Sequence, residues 1–148
     1  MKTFTTTLVL LASLSTASVA AEDWITRESA SSVDATADRL VEAVEGAGAT
    51  LFARVDHAAG AQSVGQELPP TTLVIFGNPK VGTAIMQADP RAGLDLPMRV
   101  LVWQEDGRTM IGYEDPEALK ARYAIEGADP SFATMAAALE KLTTVAAE

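Results

Sequence analysis

The sequence has no cysteine among its 148 residues. Without thiols the chain cannot form disulfides, thiolate nucleophiles, iron–sulfur clusters, covalent c-type haem links or Cys-based zinc sites. It also has one histidine, His57, so a single imidazole is available for acid–base chemistry near neutral pH. These two shortages remove much of the usual catalytic and metal-binding repertoire.

Long apolar runs are missing as well, since no stretch approaches the roughly 20 residues that a membrane-spanning helix needs. The first residues do carry a shorter pattern: Lys2, then the apolar segment Leu8–Leu14, then small residues up to Ala21. This order is typical of a secretory signal peptide. We therefore expect residues 1–21 to be a signal peptide and residues 22–148 to be a single domain. The expected location is periplasmic or secreted, with no membrane insertion after cleavage.

Clusters of Lys and Arg are absent, and the formal net charge is −9. Removal of the signal peptide with Lys2 would make the chain one unit more negative. An acidic surface of this kind opposes binding to nucleic acid phosphates or anionic lipid. We expect no nucleic acid partner.

The hydrophobic pattern predicts the element order β-α-β-β-α-β-β-α-α. Thr50–His57 alternates as a strand does, and Leu73–Phe76 is a continuous apolar run that favours a central strand covered on both faces. Ser31-x-x-Asp34 reads as a capping box opening the first helix. The predicted fold class is α+β: a two-layer sandwich of a mixed β-sheet with helices mainly on one face.

Five short motifs occur once each along the chain, and their order resembles that of a known bacterial family, domain of unknown function 302. The motifs are Asp56-His57, Leu68-Pro-Pro-Thr71, Phe76-Gly-Asn-Pro79, Gly82-Thr83 and Asp95-Leu-Pro97. The resemblance covers roughly Ser32 to Leu142 and implies a small α/β domain. It implies no agreed reaction.

The best local candidate for a site is the Phe76–Pro79 turn, where a strand ends and a helix begins. Asn78 suits the N-cap and Pro79 the first helical position. Free N–H groups at such a helix start accept phosphate or carboxylate, and Gly77 would let a ligand approach the backbone, with Thr83 one turn further on. The turn matches neither a Walker motif nor a dinucleotide-binding fingerprint. The alternative is a capped helix start that binds nothing.

His57 is the second candidate, as a core residue, a ligand contact or an acid–base group. It falls in phase with Leu51 and Val55, which predicts that its ring faces the core. Two further candidates are Arg91 and Asp95. If their loop folds over the start of the Asn78 helix, both line the same cleft, with Arg91 as an anion clamp and Arg122-Tyr123 forming the far wall.

No cofactor and no metal site is predicted. His57 with carboxylates would make at best a weak zinc or manganese site. His57 with Met86, Met98 or Met110 would suit copper, but methionines in phase with apolar neighbours are normally core residues.

Two functions remain open from the sequence, and the balance leans away from an enzyme. The first is a non-catalytic module that binds a small anionic or polar ligand, or a partner chain, between His57, Gly77-Asn78 and the Asp95 loop. The second is a small hydrolase or isomerase with His57 as general acid or base and the Asn78 helix start as oxyanion site. A homodimer through a sheet edge or an apolar helix face is also expected. The shared site requires that the strands ending at His57 and Gly77 are not antiparallel neighbours.

Overall fold

The computed structural model describes residues 23–148, so the expected signal peptide lies outside the described part. The elements are β1 (Trp24–Ser29), α1 (Val33–Gly46), β2 (Thr50–Asp56), α2 (His57–Ser63), β3 (Thr71–Gly77), α3 (Pro79–Ala88), a 3-10 turn (Pro90–Leu94), β4 (Met98–Glu105), β5 (Arg108–Glu114), α4 (Pro116–Arg122) and α5 (Asp129–Ala147). This order matches the predicted one, with α2 and the 3-10 turn added in the connectors. Within residues 23–148, no helix is both long and apolar enough to cross a membrane.

The five strands form one sheet in the order β1-β5-β4-β3-β2, and every neighbouring pair is antiparallel. The α+β class is confirmed. The expectation of a mixed sheet is wrong, because β2 and β3 are joined by a connector that reverses the chain instead of a crossover that would make them parallel.

The helices cover one face of this sheet. α5 packs against α1, α3 and α4, and also contacts β1 and β5. Beneath them lies the core, in which large side chains from the sheet meet those of the two longest helices. Its fully buried members include Leu40, Val74, Phe76, Val100, Val102, Ile111, Phe132 and Leu139.

The other face of the sheet, which we call the open face, carries the alternate residues of each strand. On β3, Val74 and Phe76 are buried against the helices, whereas Leu73 and Ile75 point to the open face and remain partly exposed. The prediction that this strand is covered on both sides is therefore wrong for the single chain. The open-face residues of β3 are more apolar than a partly exposed surface requires.

Local signals at the helix starts are largely confirmed. Asn78 caps α3 by accepting a hydrogen bond from the Lys80 backbone at 3.0 Å, and Pro79 takes the first helical position. The cap of α1 is Ser32, which accepts from Ala35, not Ser31. Ser31 instead donates its backbone N–H to the Ser29 hydroxyl.

The prediction that His57 ends a strand with its ring towards the core is also wrong. A bulge in β2 sets the two-residue step from Leu51 to Ala53 against a single step of β3, so Phe52 is extra and the alternation shifts. His57 then begins α2 and is exposed, with Asp56 capping that helix through a 2.9 Å hydrogen bond from Ala59.

Candidate functional site

A cavity of about 240 Å³ lies where β3 ends, α3 begins and the chain enters β4. We call it the Asn78 pocket. Its lining residues are Ala49, Phe52, Phe76, Gly77, Asn78, Pro79, Val81, Gly82, Thr83, Met86, Leu96, Pro97, Met98 and Met135. Three of the six predicted site residues, Gly77, Asn78 and Thr83, are therefore brought together, and His57, Arg91 and Asp95 are outside the lining.

Close approach of two chain segments at Gly77 shapes one wall of the pocket. A Cβ atom at this position would lie 3.3 Å from the Cβ of Pro97 and 3.7 Å from the ring of Phe52. The missing side chain thus lets the Leu96-Pro97 segment, whose peptide bond is cis, pack against the end of β3. At Gly82, one turn along α3, an added Cβ would make only an ordinary contact, 4.0 Å from Leu96.

The start of α3 does not offer free backbone donors as the sequence predicted. Pro79 has no N–H, and the N–H of Lys80 is donated to the Asn78 side chain. The N–H groups of Val81 and Gly82 are donated to the Asn78 carbonyl at 2.9 and 3.0 Å. Anion binding at this helix start would have to displace these bonds.

Two polar groups of the pocket remain available to a ligand. Within residues 23–148, neither the amide nitrogen of Asn78 nor the hydroxyl of Thr83 has a protein hydrogen-bond partner in the structure. Both residues are exposed. They give the pocket one amide NH2 group with two N–H donors, and one hydroxyl that can donate or accept.

The rest of the lining is apolar, and no lining residue carries an ionisable side chain. Two aromatic rings and three thioethers dominate it. Met86 and Met98 were candidates from the sequence, and Met135 of α5 joins them. Methionine side chains are flexible and polarisable, so they adapt to the shape of an apolar occupant.

The copper combination considered from the sequence is not assembled. Met110 lies on β5 with its side chain on the open face, and His57 is also outside the pocket. Within the described part of the chain, no three His, Cys, Asp or Glu side chains come together in a way that could hold a metal ion.

His57 is separated from Asn78 by the length of a strand. Because β2 and β3 are antiparallel, Thr50 pairs with Gly77 while Asp56 pairs with Thr72. Five residue steps along β3 correspond to about 17 Å. One site that uses both His57 and the start of α3 is therefore contradicted by the geometry.

Asp95 is the acceptor at the centre of a hydrogen-bonded cluster beside the pocket. Its carboxylate accepts from Arg122 at 2.8 Å, from Tyr123 at 2.8 Å and from Arg99 at 3.1 Å. Arg122 also pairs with Glu114. The side chain of Asp95 is only 13% exposed, so this Asp95 cluster fixes the loop whose next two residues, Leu96 and Pro97, line the pocket.

The pKa values in the cluster follow from these contacts. Burial raises the pKa of Asp95, but hydrogen bonds from Tyr123 and Arg122 outweigh it and hold the value below the usual one. The hydrogen bond that Tyr123 donates to Asp95 raises the pKa of Tyr123, and burial raises it further. Hydrogen bonds to Glu114 and Asp95 raise the pKa of Arg122. Arg122 and Tyr123 were expected to form the far wall of the cleft, but they are outside the lining of the Asn78 pocket and instead hold the Asp95 loop in place.

Arg91 is committed to its own loop. Its guanidinium pairs with Asp89 at 2.6 Å while the side chain stays 73% exposed, and it lies 5.9 Å from the centre of the Tyr123 ring. The hydrogen bond from Arg91 lowers the pKa of Asp89. Arg91 is outside the Asn78 pocket, so the structure does not bring it to the start of α3.

The sequence reading missed Phe52, Leu96 and Met135 as pocket residues. Leu96 could have been predicted, because it lies within the Asp95-Leu-Pro97 motif. Phe52 reaches the pocket through the bulge in β2, and Met135 arrives from a helix more than 50 positions downstream of Asn78. Neither feature leaves a local signal in the sequence.

The chain is similar to several known proteins in sequence and to a solved structure in fold. Over 110 residues the chain is 42% identical to a protein of Brucella suis biovar 1 named fluoride-specific ion channel FluC 1, covering 74% of this chain and 43% of that protein. A Brucella melitensis protein named fluoride-specific ion channel FluC 2 is also 42% identical over 110 residues, with 41% of its length covered. The chain thus spans less than half of these relatives.

A solved structure from Bacillus stearothermophilus, described as an uncharacterized conserved protein DUF302, superimposes with a TM-score of 0.77 at 20% identity. The match covers 85% of this chain and 99% of that one, and it shows the shared fold. The model of the family described as domain of unknown function DUF302 matches residues 25–142. The chain belongs to the DUF302 family.

Proposed function

We propose that this chain is an exported, non-catalytic binding domain whose Asn78 pocket takes a small molecule with an apolar body and one polar group. The observation that carries the proposal is the composition of the lining. Apolar side chains surround the cavity, and only Asn78 and Thr83 offer unpartnered polar side-chain groups to an occupant. Ligand sites commonly have this make-up, with a few polar groups fixing orientation in an apolar cavity.

The size of the pocket limits the ligand. A volume of about 240 Å³ falls just below the range of roughly 300–1,000 Å³ typical of drug-sized sites. A single aromatic ring system or a medium-length acyl chain suits this space. The apolar walls favour such molecules over the small anion expected from the sequence, because a desolvated anion would find no cationic group in the lining.

The absence of ionisable groups in the lining favours binding over acid–base catalysis. The hydrolase or isomerase hypothesis needed His57 and Asn78 in one site, and the antiparallel pairing of β2 with β3 keeps them apart. Export rests on the signal-peptide pattern of residues 1–21.

The test is displacement of a fluorescent apolar probe, N-phenyl-1-naphthylamine, from the purified protein by indoles and medium-chain alcohols. Thr83→Val keeps the side-chain shape and removes the hydroxyl, and Asn78→Asp keeps the helix cap but removes the amide donor. Loss of one neutral hydrogen bond costs about 1 kcal/mol, or about fivefold in affinity. Thr134→Val, on the surface of α5, is the matched control.

The proposal requires weaker binding of polar-ended competitors in Thr83→Val and Asn78→Asp and unchanged binding in Thr134→Val. If the probe does not bind, or if the polar-ended competitors displace it equally well from all four proteins, the pocket is not the binding site.

A further inference from the structure

The open face of the sheet is the least explained surface of the molecule. Leu73 and Ile75 of β3, Leu101 and Trp103 of β4 and Met110 of β5 form its centre, and all are partly exposed. Helices α1 and α5 contact the sheet through its other face, which holds the core. The sequence of β3 is that of a strand covered on both faces. The open face is therefore suited to pack against another apolar surface.

We infer that the open face packs against the open face of a second copy of this chain, related by a two-fold axis running across the strands. This goes beyond the proposed ligand site, which lies on the helix side. Antiparallel sheets stacked face to face, about 10 Å apart, are a standard packing.

The charges on the two central strands are the observation that selects a second copy. The open-face residues of β4 run Arg99, Leu101, Trp103, Glu105, and those of β5 run Arg108, Met110, Gly112, Glu114. Each strand thus begins with an arginine and ends with a glutamate. A two-fold axis across the strands reverses each strand over itself.

The reversed copy places opposite charges together. Arg99 then lies over Glu105 of the second copy, and Arg108 over Glu114 of the second copy, with every contact made twice by symmetry. The same two-fold axis brings large apolar side chains over small ones. Within one sheet Leu101 pairs with Gly112 and Trp103 with Met110. Reversal therefore places Trp103 over Leu101 of the second copy, and Met110 over its Gly112. Potentials that complement one another in this way fix the register of an interface.

The area agrees with a modest dimer. Five strands about 4.8 Å apart and about seven residues long present a face of roughly 550 Å², or on the order of 1,100 Å² for two copies. Stable specific interfaces begin near about 1,200 Å² and weak, transient ones lie below that value, so the area corresponds to a weak dimer. The four charged residues named on this face sum to zero, so the face is less repulsive than the rest of a chain with net charge −9. Three of them also pair within the chain: Arg99 with Asp95, Arg108 with Glu28 and Glu114 with Arg122.

The experiment is sedimentation velocity over a micromolar to millimolar concentration series with a charge swap. Glu105→Arg sets arginine against Arg99 of the second copy. Within one chain Glu105 lies opposite Arg108, where two like charges are mildly destabilising, so the circular dichroism spectrum of the variant is compared with that of the original protein to show that it is folded. We expect the dimer dissociation constant to rise about tenfold or more. The double variant Arg99→Gln with Glu105→Arg removes the clash of like charges while glutamine keeps a donor for Asp95, so it should return the constant to within about threefold of the original.

Glu42→Arg, on the exposed surface of α1, makes the same change in net charge away from the open face and is the control. It should leave the dimer intact or strengthen it. A monomer mass throughout the series, or equal weakening by Glu105→Arg and Glu42→Arg, or no rescue in a folded double variant, overturns the inference. A monomer would leave the face to a different protein.

Discussion

The phenol of Tyr123 donates a hydrogen bond of 2.8 Å to the carboxylate of Asp95, 28 residues earlier in the chain. This contact joins the segment after α4 to the loop before β4. Arg122 and Arg99 donate to the same carboxylate, so three donors converge on one largely buried group. Because Leu96 follows directly, the Asp95 cluster sets the position of a wall of the Asn78 pocket.

Asp95→Asn is expected to lower the free energy of unfolding by about 2 kcal/mol, because hydrogen bonds to a charged acceptor are lost and an amide group faces arginine donors. Urea denaturation measures the change. Asp38→Asn is the matched control: that carboxylate pairs with Arg54 but is 60% exposed, and exposed pairs contribute about 0–1 kcal/mol. Equal losses in the two variants would contradict a special role for the Asp95 cluster.

Acid should weaken the fold through the same carboxylate. The pKa of Asp95 in the folded state lies below its ordinary value of 3.8, and so does that of Asp89. The unfolded chain then binds more protons as the pH falls, so stability is fully present above the unfolded value and is lost as the pH drops through the lower folded values. Melting temperatures measured from neutral pH downwards should decline below about pH 4, less steeply in Asp95→Asn. Parallel curves for the two proteins would refute the assignment.

The local parts of the structure could be predicted from sequence because their causes are local. Asn78-Pro79 specifies a helix start through one side-chain acceptor and one fixed backbone angle, and the structure has both. The hairpin at Glu105–Gly107 has positive φ angles at Asp106 and Gly107, as a two-residue hairpin turn requires. Periodicity predicts the other strands and the longer helices for the same reason, but not α2 or the 3-10 turn.

The site could not be predicted to the same degree, because it depends on strand register. A bulge changes which face of the sheet every later residue of the strand occupies. The extra residue Phe52 in the ladder between β2 and β3 therefore decides where His57 lies. The partners of Asp95 on α4 and its C-terminal end are 27 and 28 residues away. Such contacts are decided by packing and leave no spacing rule in the sequence.

Gly82→Ala should make the protein more stable and a poorer binder at once. Alanine favours a helix interior over glycine by up to about 1 kcal/mol, and the added Cβ would make only ordinary contact with Leu96 at 4.0 Å. That methyl group also takes space from the Asn78 pocket. Gly60→Ala in α2, where nothing lies within 4 Å, gives the same helical benefit away from the pocket.

Both variants should show a higher melting temperature, and only Gly82→Ala should show weaker binding of the naphthylamine probe. Unchanged probe affinity in Gly82→Ala would count against the Asn78 pocket as the site.

Fluoride is not expected to bind this domain, although the Brucella relatives carry the name of fluoride channels. Fluoride is a small, strongly hydrated anion, and removing it from water requires several donors or a cation in return. The N–H groups of Lys80, Val81 and Gly82 are already committed to Asn78, and the pocket lining has no cationic side chain. Melting temperatures in sodium fluoride and sodium chloride at equal ionic strength should therefore coincide. A rise specific to fluoride that disappears in Asn78→Asp would show instead that the start of α3 opens to accept an anion.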